Sequence, residues 1–66
     1  MTLSELLYFR LYPQAMRLTL KDVHVGVCIY LCKNEDDTND LLSHLMQSFG
    51  KHATIECEHL WEELKP

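Results

Sequence analysis

The sequence contains few of the residues that interrupt regular structure, with only two glycines and two prolines among 66 residues. Together with 47% hydrophobic and 24% charged residues, this composition excludes a disordered, solvating tail. We expect a single domain over residues 1–66. A chain of this length buries only about 60% of the surface that its unfolded form exposes. The core must therefore be thin, and a second copy, a metal or a partner is the usual source of added stability.

Basic residues are also scarce, and long apolar runs are absent. Residues 1–33 carry a net charge of +2 and residues 34–66 carry −6, which gives the formal −4 of the chain. The six Lys and Arg are spread singly, whereas nucleic-acid binding needs several cations on one face. The longest apolar run, residues 27–32, is far shorter than the roughly 20 residues of a spanning helix. We predict neither a nucleic acid nor a membrane as a direct partner.

The cysteines are odd in number, namely Cys28, Cys32 and Cys57. An odd set fits poorly with the disulfide framework of a secreted domain. Glu5 and Arg10 also interrupt the leading segment before an apolar signal region forms. We therefore expect reduced thiols in a cytoplasmic protein.

Two segments have the signals of helices. Thr2 and Glu5 are spaced as a capping box, and Pro13 cannot continue a helix, which predicts a helix over residues 3–11. Asp36, Asp37 and Thr38 are all good N-caps. They precede an apolar stripe that ends at a glycine, namely Leu41, Leu42, Leu45, Met46, Phe49 and then Gly50. This pattern predicts a second helix over residues 38–49.

The segment between the helices alternates in the manner of two strands. A hairpin over residues 15–32 with Lys21-Asp22 as its loop would place six apolar residues on one face: Leu20 opposite Val23, Leu18 opposite Val25, and Met16 opposite Val27. The helix 38–49 would cover this face. Residues 54–58 read as a third strand, and a short C-terminal helix would hold Leu60, Trp61 and Leu64. The predicted fold is a two-layer α+β domain of order α-β-β-α-β.

Two surfaces are candidates for protein binding. In the predicted hairpin the second sheet face shows Cys28, Tyr30 and Cys32, which are too apolar for an ordinary wet surface. Either the N-terminal helix covers them, or a second copy or a partner protein does. Trp61 stands beside Glu62 and Glu63, an aromatic anchor among charges. The alternative is that Trp61 completes the core.

The metal-ligating and nucleophilic residues form no diagnostic set. Cys28 and Cys32 are four apart on a strand, about 13 Å, and cannot share one ion. Cys57 and His59 are about 6.5 Å apart and would still need a ligand from a neighbouring strand. No catalytic motif is present. We expect no metal, no cofactor and no enzyme activity.

The sequence thus favours a small non-catalytic regulatory or adaptor protein that binds other proteins, as a homodimer. An alternative is an acidic inhibitor that occupies the basic cleft of a nucleic-acid enzyme, because residues 34–66 carry most of the negative charge. A metal-dependent regulator is the less favoured third hypothesis.

Overall fold

The structure is a computed structural model that describes residues 1–64. Its elements in chain order are α1 Leu3–Leu11, β1 Met16–Asp22, β2 Gly26–Cys32, α2 Glu35–Phe49, a 3₁₀ turn Gly50–His52, β3 Ala53–His59, and a C-terminal 3₁₀ segment Leu60–Leu64. The two-layer α+β class and the order α-β-β-α-β are confirmed.

Hydrogen bonds between side chains and the backbone fix where both helices begin. At the start of α1 the Thr2 N–H donates to Glu5 Oε1 at 2.8 Å, and the Glu5 N–H donates to Thr2 Oγ1 at 3.2 Å. The predicted capping box is therefore confirmed. The start predicted for α2 was three residues late, because the N-cap is Asn34, whose side chain accepts from the Asp37 N–H at 2.8 Å. Asp36 and Asp37 instead lie in the first turn, where carboxylates favour the positive end of the helix dipole.

The sheet has three strands in the order β2-β1-β3. The central strand β1 pairs antiparallel with both neighbours, so β2 and β3 run parallel to each other on its two sides. Helix α2 provides the connection between these two edge strands and packs against all three strands.

The predicted register of the hairpin was wrong. Leu18 lies opposite Tyr30, Leu20 lies opposite Cys28, and the connection consists of residues 23–25 instead of Lys21-Asp22. A shift by an odd number of residues moves every side chain of β2 to the other face. Val27 and Ile29 therefore lie on the face opposite Leu18 and Leu20.

The turn explains the observed register. Asp22 Oδ1 accepts hydrogen bonds from the N–H groups of His24 at 2.7 Å and Val25 at 2.9 Å. Gly26 then adopts a φ of 93°, a conformation that residues with a Cβ rarely adopt. These two features place Asp22 opposite Gly26 and set every later pair of the hairpin.

The core lies between the sheet and α2. Its buried apolar members are Ala15, Met16, Leu18, Leu20, Cys32, Leu45 and Leu60. Within α2 only part of the predicted stripe is buried, since Met46 remains 59% exposed. The expectation of a thin core is consistent with this short list.

Candidate protein-interaction surface

The sheet face opposite α2, called the open face below, is divided into three bands. Its side chains are Val27, Ile29 and Leu31 of β2, Arg17, Thr19 and Lys21 of β1, and Thr54, Glu56 and Glu58 of β3. The β2 band is apolar, the central band carries two cations, and the β3 band is acidic. The two glutamates of β3 thus lie at the opposite edge of this face from the apolar band.

The apolar band continues into the hairpin turn. We name the four residues Val23, Val25, Val27 and Ile29 the valine strip; they are 80%, 55%, 63% and 58% exposed. Single exposed apolar residues are ordinary, but neighbouring ones with this much exposure mark interaction sites in soluble proteins. The valine strip is therefore the leading candidate site.

The other end of the open face is occupied by an ion cluster centred on Arg17. Its guanidinium donates to Glu5 Oε2 at 2.8 Å and to Glu58 Oε2 at 2.9 Å, and it also contacts Glu63. The Thr2 N–H and then Arg17 lower the pKa of Glu5 to about 2, and the same hydrogen bond with Glu5 raises the pKa of Arg17. The cluster joins α1, β1, β3 and the C-terminal segment, so it serves the fold.

The sequence placed Cys28, Tyr30 and Cys32 on the sheet face opposite α2, and this prediction was wrong. The changed register places them on the α2 side, where Cys32 is buried and Cys28 and Tyr30 are half-buried. Their apolar character is explained by this helix. The covering element is therefore α2, whereas α1 reaches β2 through the Tyr8 hydroxyl, which donates to the Leu31 carbonyl at 3.4 Å.

The predicted tail surface is divided by the structure. Trp61 is half-buried and its ring lies 5.5 Å from that of His59, centroid to centroid. Glu63 belongs to the Arg17 cluster, whereas Glu62 is exposed. A binding role for these three residues stays a prediction.

The candidate metal ligands are dispersed. Within residues 1–64 no group of three or more His, Cys, Asp or Glu is placed to hold a metal ion. His24 lies in the hairpin turn instead of a strand, with its ring centroid 6.4 Å from that of His52. Burial, and secondly the nearby Cys32, raises the pKa of the Cys57 thiol. A thiol with a raised pKa is a weaker nucleophile at neutral pH.

The surface has two depressions, one at the hairpin end of the sheet and one between α2 and β3. The first, of about 340 Å³, is lined by Lys21, Asp22, Val23, Gly26, Val27, His52 and Thr54. The second, of about 300 Å³, is lined by Leu42, Met46, Gly50, Ala53 and Ile55. In the first, the Asp22 carboxylate is engaged by the turn N–H groups, which lower its pKa. The Asp22 carboxylate therefore stabilises the hairpin turn.

The sequence missed two of these features. It did not identify the Arg17 cluster, whose partners lie 12, 41 and 46 residues away. It assigned the valine strip to the core, because both faces of β2 are apolar.

In residues 1–64 no helix has the length and apolarity to cross a membrane. Comparison with protein-family models, curated proteins and solved structures finds no match to this chain.

Proposed function

We propose that this chain is a small non-catalytic regulatory or adaptor protein that acts by binding other proteins and works as a homodimer. The observation that supports this proposal is the valine strip, which leaves four neighbouring β-branched residues more than half exposed. The buried core contains only seven apolar residues within the described chain, so the exposure of four more is a large share of its apolar content. Covering them with another chain would stabilise both partners.

The location of the valine strip adds to this argument. Val27 and Ile29 lie on an edge strand, whose outer side can accept a further strand. Peptide-binding domains use such edges, because the main chain supplies affinity and alternate side chains supply specificity. The strip therefore combines an apolar contact surface with free backbone hydrogen-bonding groups.

The acidic-inhibitor hypothesis receives less support from the site. Glu58 and Glu63 are held within the chain by hydrogen bonds from Arg17, which offsets part of their charge and makes them less available to imitate phosphates. Glu56 and Glu62 remain exposed near β3 and the C-terminal segment. They form the surface that this second hypothesis would use.

We also propose a cytoplasmic location. Cys28, Cys32 and Cys57 are free thiols. Cys28 and Cys32 flank the half-buried Tyr30 on the α2 face, where oxidation would add polar atoms to the core. A reducing compartment keeps such thiols intact.

The proposal is tested by capture of partners with paired variants of the open face. Val27→Ser with Ile29→Ser removes the apolar surface, whereas Glu56→Gln with Glu62→Gln removes exposed charge and serves as the matched control. We expect a partner retained by the unmodified chain and by the control to be lost with the serine variant. Each captured protein is then purified, and its direct affinity for all three chains is measured by calorimetry.

The same comparison separates the hypotheses. Binding that survives the serine changes and is lost with the glutamine changes would replace the proposal with the acidic inhibitor. Circular dichroism of each variant establishes that it folds, so that a loss of binding reports on the surface.

A further inference from the structure

We infer that the partner at the β2 edge is a second copy of this chain, paired antiparallel through β2 about a twofold axis at Ile29. This inference rests on the proposed function, since it names the occupant of the same surface. It would join two three-stranded sheets into one six-stranded sheet with α2 of each copy on the same side.

The outer backbone of β2 is open at Val27 and Ile29, whereas the Leu31 carbonyl is engaged by the Tyr8 hydroxyl of α1. The proposed pairing exchanges this 3.4 Å hydrogen bond for one from the Val27 N–H of the other copy. The Leu31 carbonyl accepts from the Tyr8 hydroxyl, which lies on α1 and outside the sheet, so this carbonyl points away from β1. In an antiparallel strand the N–H and C=O groups of alternate residues point to the same edge. Val27 and Ile29 therefore direct their backbone groups to the outer edge, where the described part of the chain places no strand.

The sequence of β2 is complementary to itself in this arrangement. Ile29 is the midpoint of Gly26–Cys32, so pairing about it gives the longest overlap. Ile29 then faces Ile29 of the other copy, and Val27 faces Leu31. Cross-strand pairs of β-branched and aliphatic residues stabilise a sheet. Directly opposed residues of an antiparallel pair lie on the same face of the sheet. The apolar side chains of both copies therefore lie together on one face.

The opposite edge of the sheet lacks these properties. Strand β2 contains no charged residue and no proline, whereas β3 contains Glu56 and Glu58. Natural sheets protect their edges with charges, which disfavour pairing with another chain. Pairing β2 with β3 of another copy would also be head-to-tail and would grow into a fibre, whereas β2 with β2 closes as a dimer.

Charge and area agree with the same occupant. Each copy has a formal charge of −4, and the central strand separates β2 from the acidic β3 band, so pairing through β2 keeps the β3 glutamates of the two copies apart. A standard interface buries about 800 Å² per partner, about one sixth of the 4769 Å² surface of this chain. The proposed contact involves only one strand of seven residues. We therefore expect a reversible dimer with micromolar affinity.

A charge-swap experiment tests the axis at Ile29. Ile29→Lys and Ile29→Glu each place like charges directly opposite each other, so neither variant should dimerise, whereas an equimolar mixture should form a one-to-one heterodimer. Native mass spectrometry distinguishes the three species by mass. Met46→Lys, which changes a residue of α2 with nearly the same exposure as Ile29, is the control and should leave the dimer intact.

The outcomes separate this inference from the proposed function. A dimer unaffected by both Ile29 changes would overturn the inference and leave the proposed function intact. A monomeric unmodified chain would overturn both the inference and the homodimer of the proposed function, while partner capture by the valine strip would still stand. If either Ile29 variant fails to fold, amide hydrogen exchange of the unmodified chain decides. Protection of the Ile29 amide should rise with protein concentration, and a concentration-independent exchange rate would overturn the pairing.

Discussion

The Arg17 guanidinium of β1 lies 2.8 Å from the Glu5 carboxylate of α1, and the two side chains are only 16% and 8% exposed. This pair joins an N-terminal helix to the central strand of the sheet. Arg17 also contacts Glu58 and Glu63, so a single cation draws together three acidic residues from separate elements. The arrangement leaves the other end of the open face, at the valine strip, without such a cover.

Replacing the shared cation should destabilise the fold strongly. Arg17→Met leaves the buried Glu5 carboxylate without its charged partner, and breaking a buried ion pair in this way costs about 3 kcal/mol. Urea denaturation measures the loss. Lys21→Met, on the same strand and face, should change the free energy of unfolding by less than about 0.5 kcal/mol. Equal effects of the two changes would show that the cluster contributes little.

Acid should destabilise the protein through Glu5. Its pKa falls from 4.5 to about 2 on folding, so between these values the unfolded chain binds more protons. The stabilisation is present above pH 4.5 and is lost as the pH falls through 2, an effect of about 3 kcal/mol. Thermal melts across this range measure it. Glu5→Gln should flatten the dependence in that window, whereas Glu62→Gln at an exposed position should not.

Gly26 should be sensitive to any side chain. Its φ of 93° disfavours a Cβ even though nothing lies within 4 Å of that position. Gly26→Ala should therefore lower the free energy of unfolding by about 1 kcal/mol or more. Gly26→Asn should cost less, because asparagine tolerates positive φ better. Denaturation that ranks alanine as the milder change would contradict this account of the turn.

The local parts of the fold were predictable from the sequence. The bounds of α1 follow from a capping box within four residues and from Pro13, and both signals act at short range. The end of α2 at Gly50 follows in the same way. The start of α2 was misplaced because Asn34 stands among three other good N-caps and only the fold selects between them.

The register of the hairpin could not be settled by pattern alone. Odd and even positions of β2 are both apolar, so alternation does not say which face is buried. The polar residues Arg17 and Thr19 of β1 identify the open face, but only once the pairing is known. The turn at Asp22 and Gly26 decides it through backbone hydrogen bonds and a positive φ, and these override the apparent match of valines to leucines.

Salt should have little effect on partner binding. An interface centred on the valine strip depends on apolar burial, which moderate salt barely weakens. Attraction between exposed charges is screened beyond about 8 Å at physiological ionic strength. Once a partner is purified, stopped-flow mixing should show an association rate that falls only modestly from low to high salt.

Two sets of variants compare the apolar and the acidic surfaces directly in partner binding. Val27→Asp should weaken partner binding more than Glu56→Gln with Glu62→Gln, because it places a charge within the apolar band. A steep salt dependence with a dominant effect of the two glutamates would favour the acidic surface as the working site.

Sedimentation velocity of the unmodified chain tests the central claim most directly. The valine strip on an uncharged edge predicts a reversible shift from monomer to dimer as concentration rises from micromolar to millimolar, with the dimer retained in high salt. A single monomeric species at every concentration would contradict the homodimer, and a dimer that high salt dissolves would contradict an apolar interface.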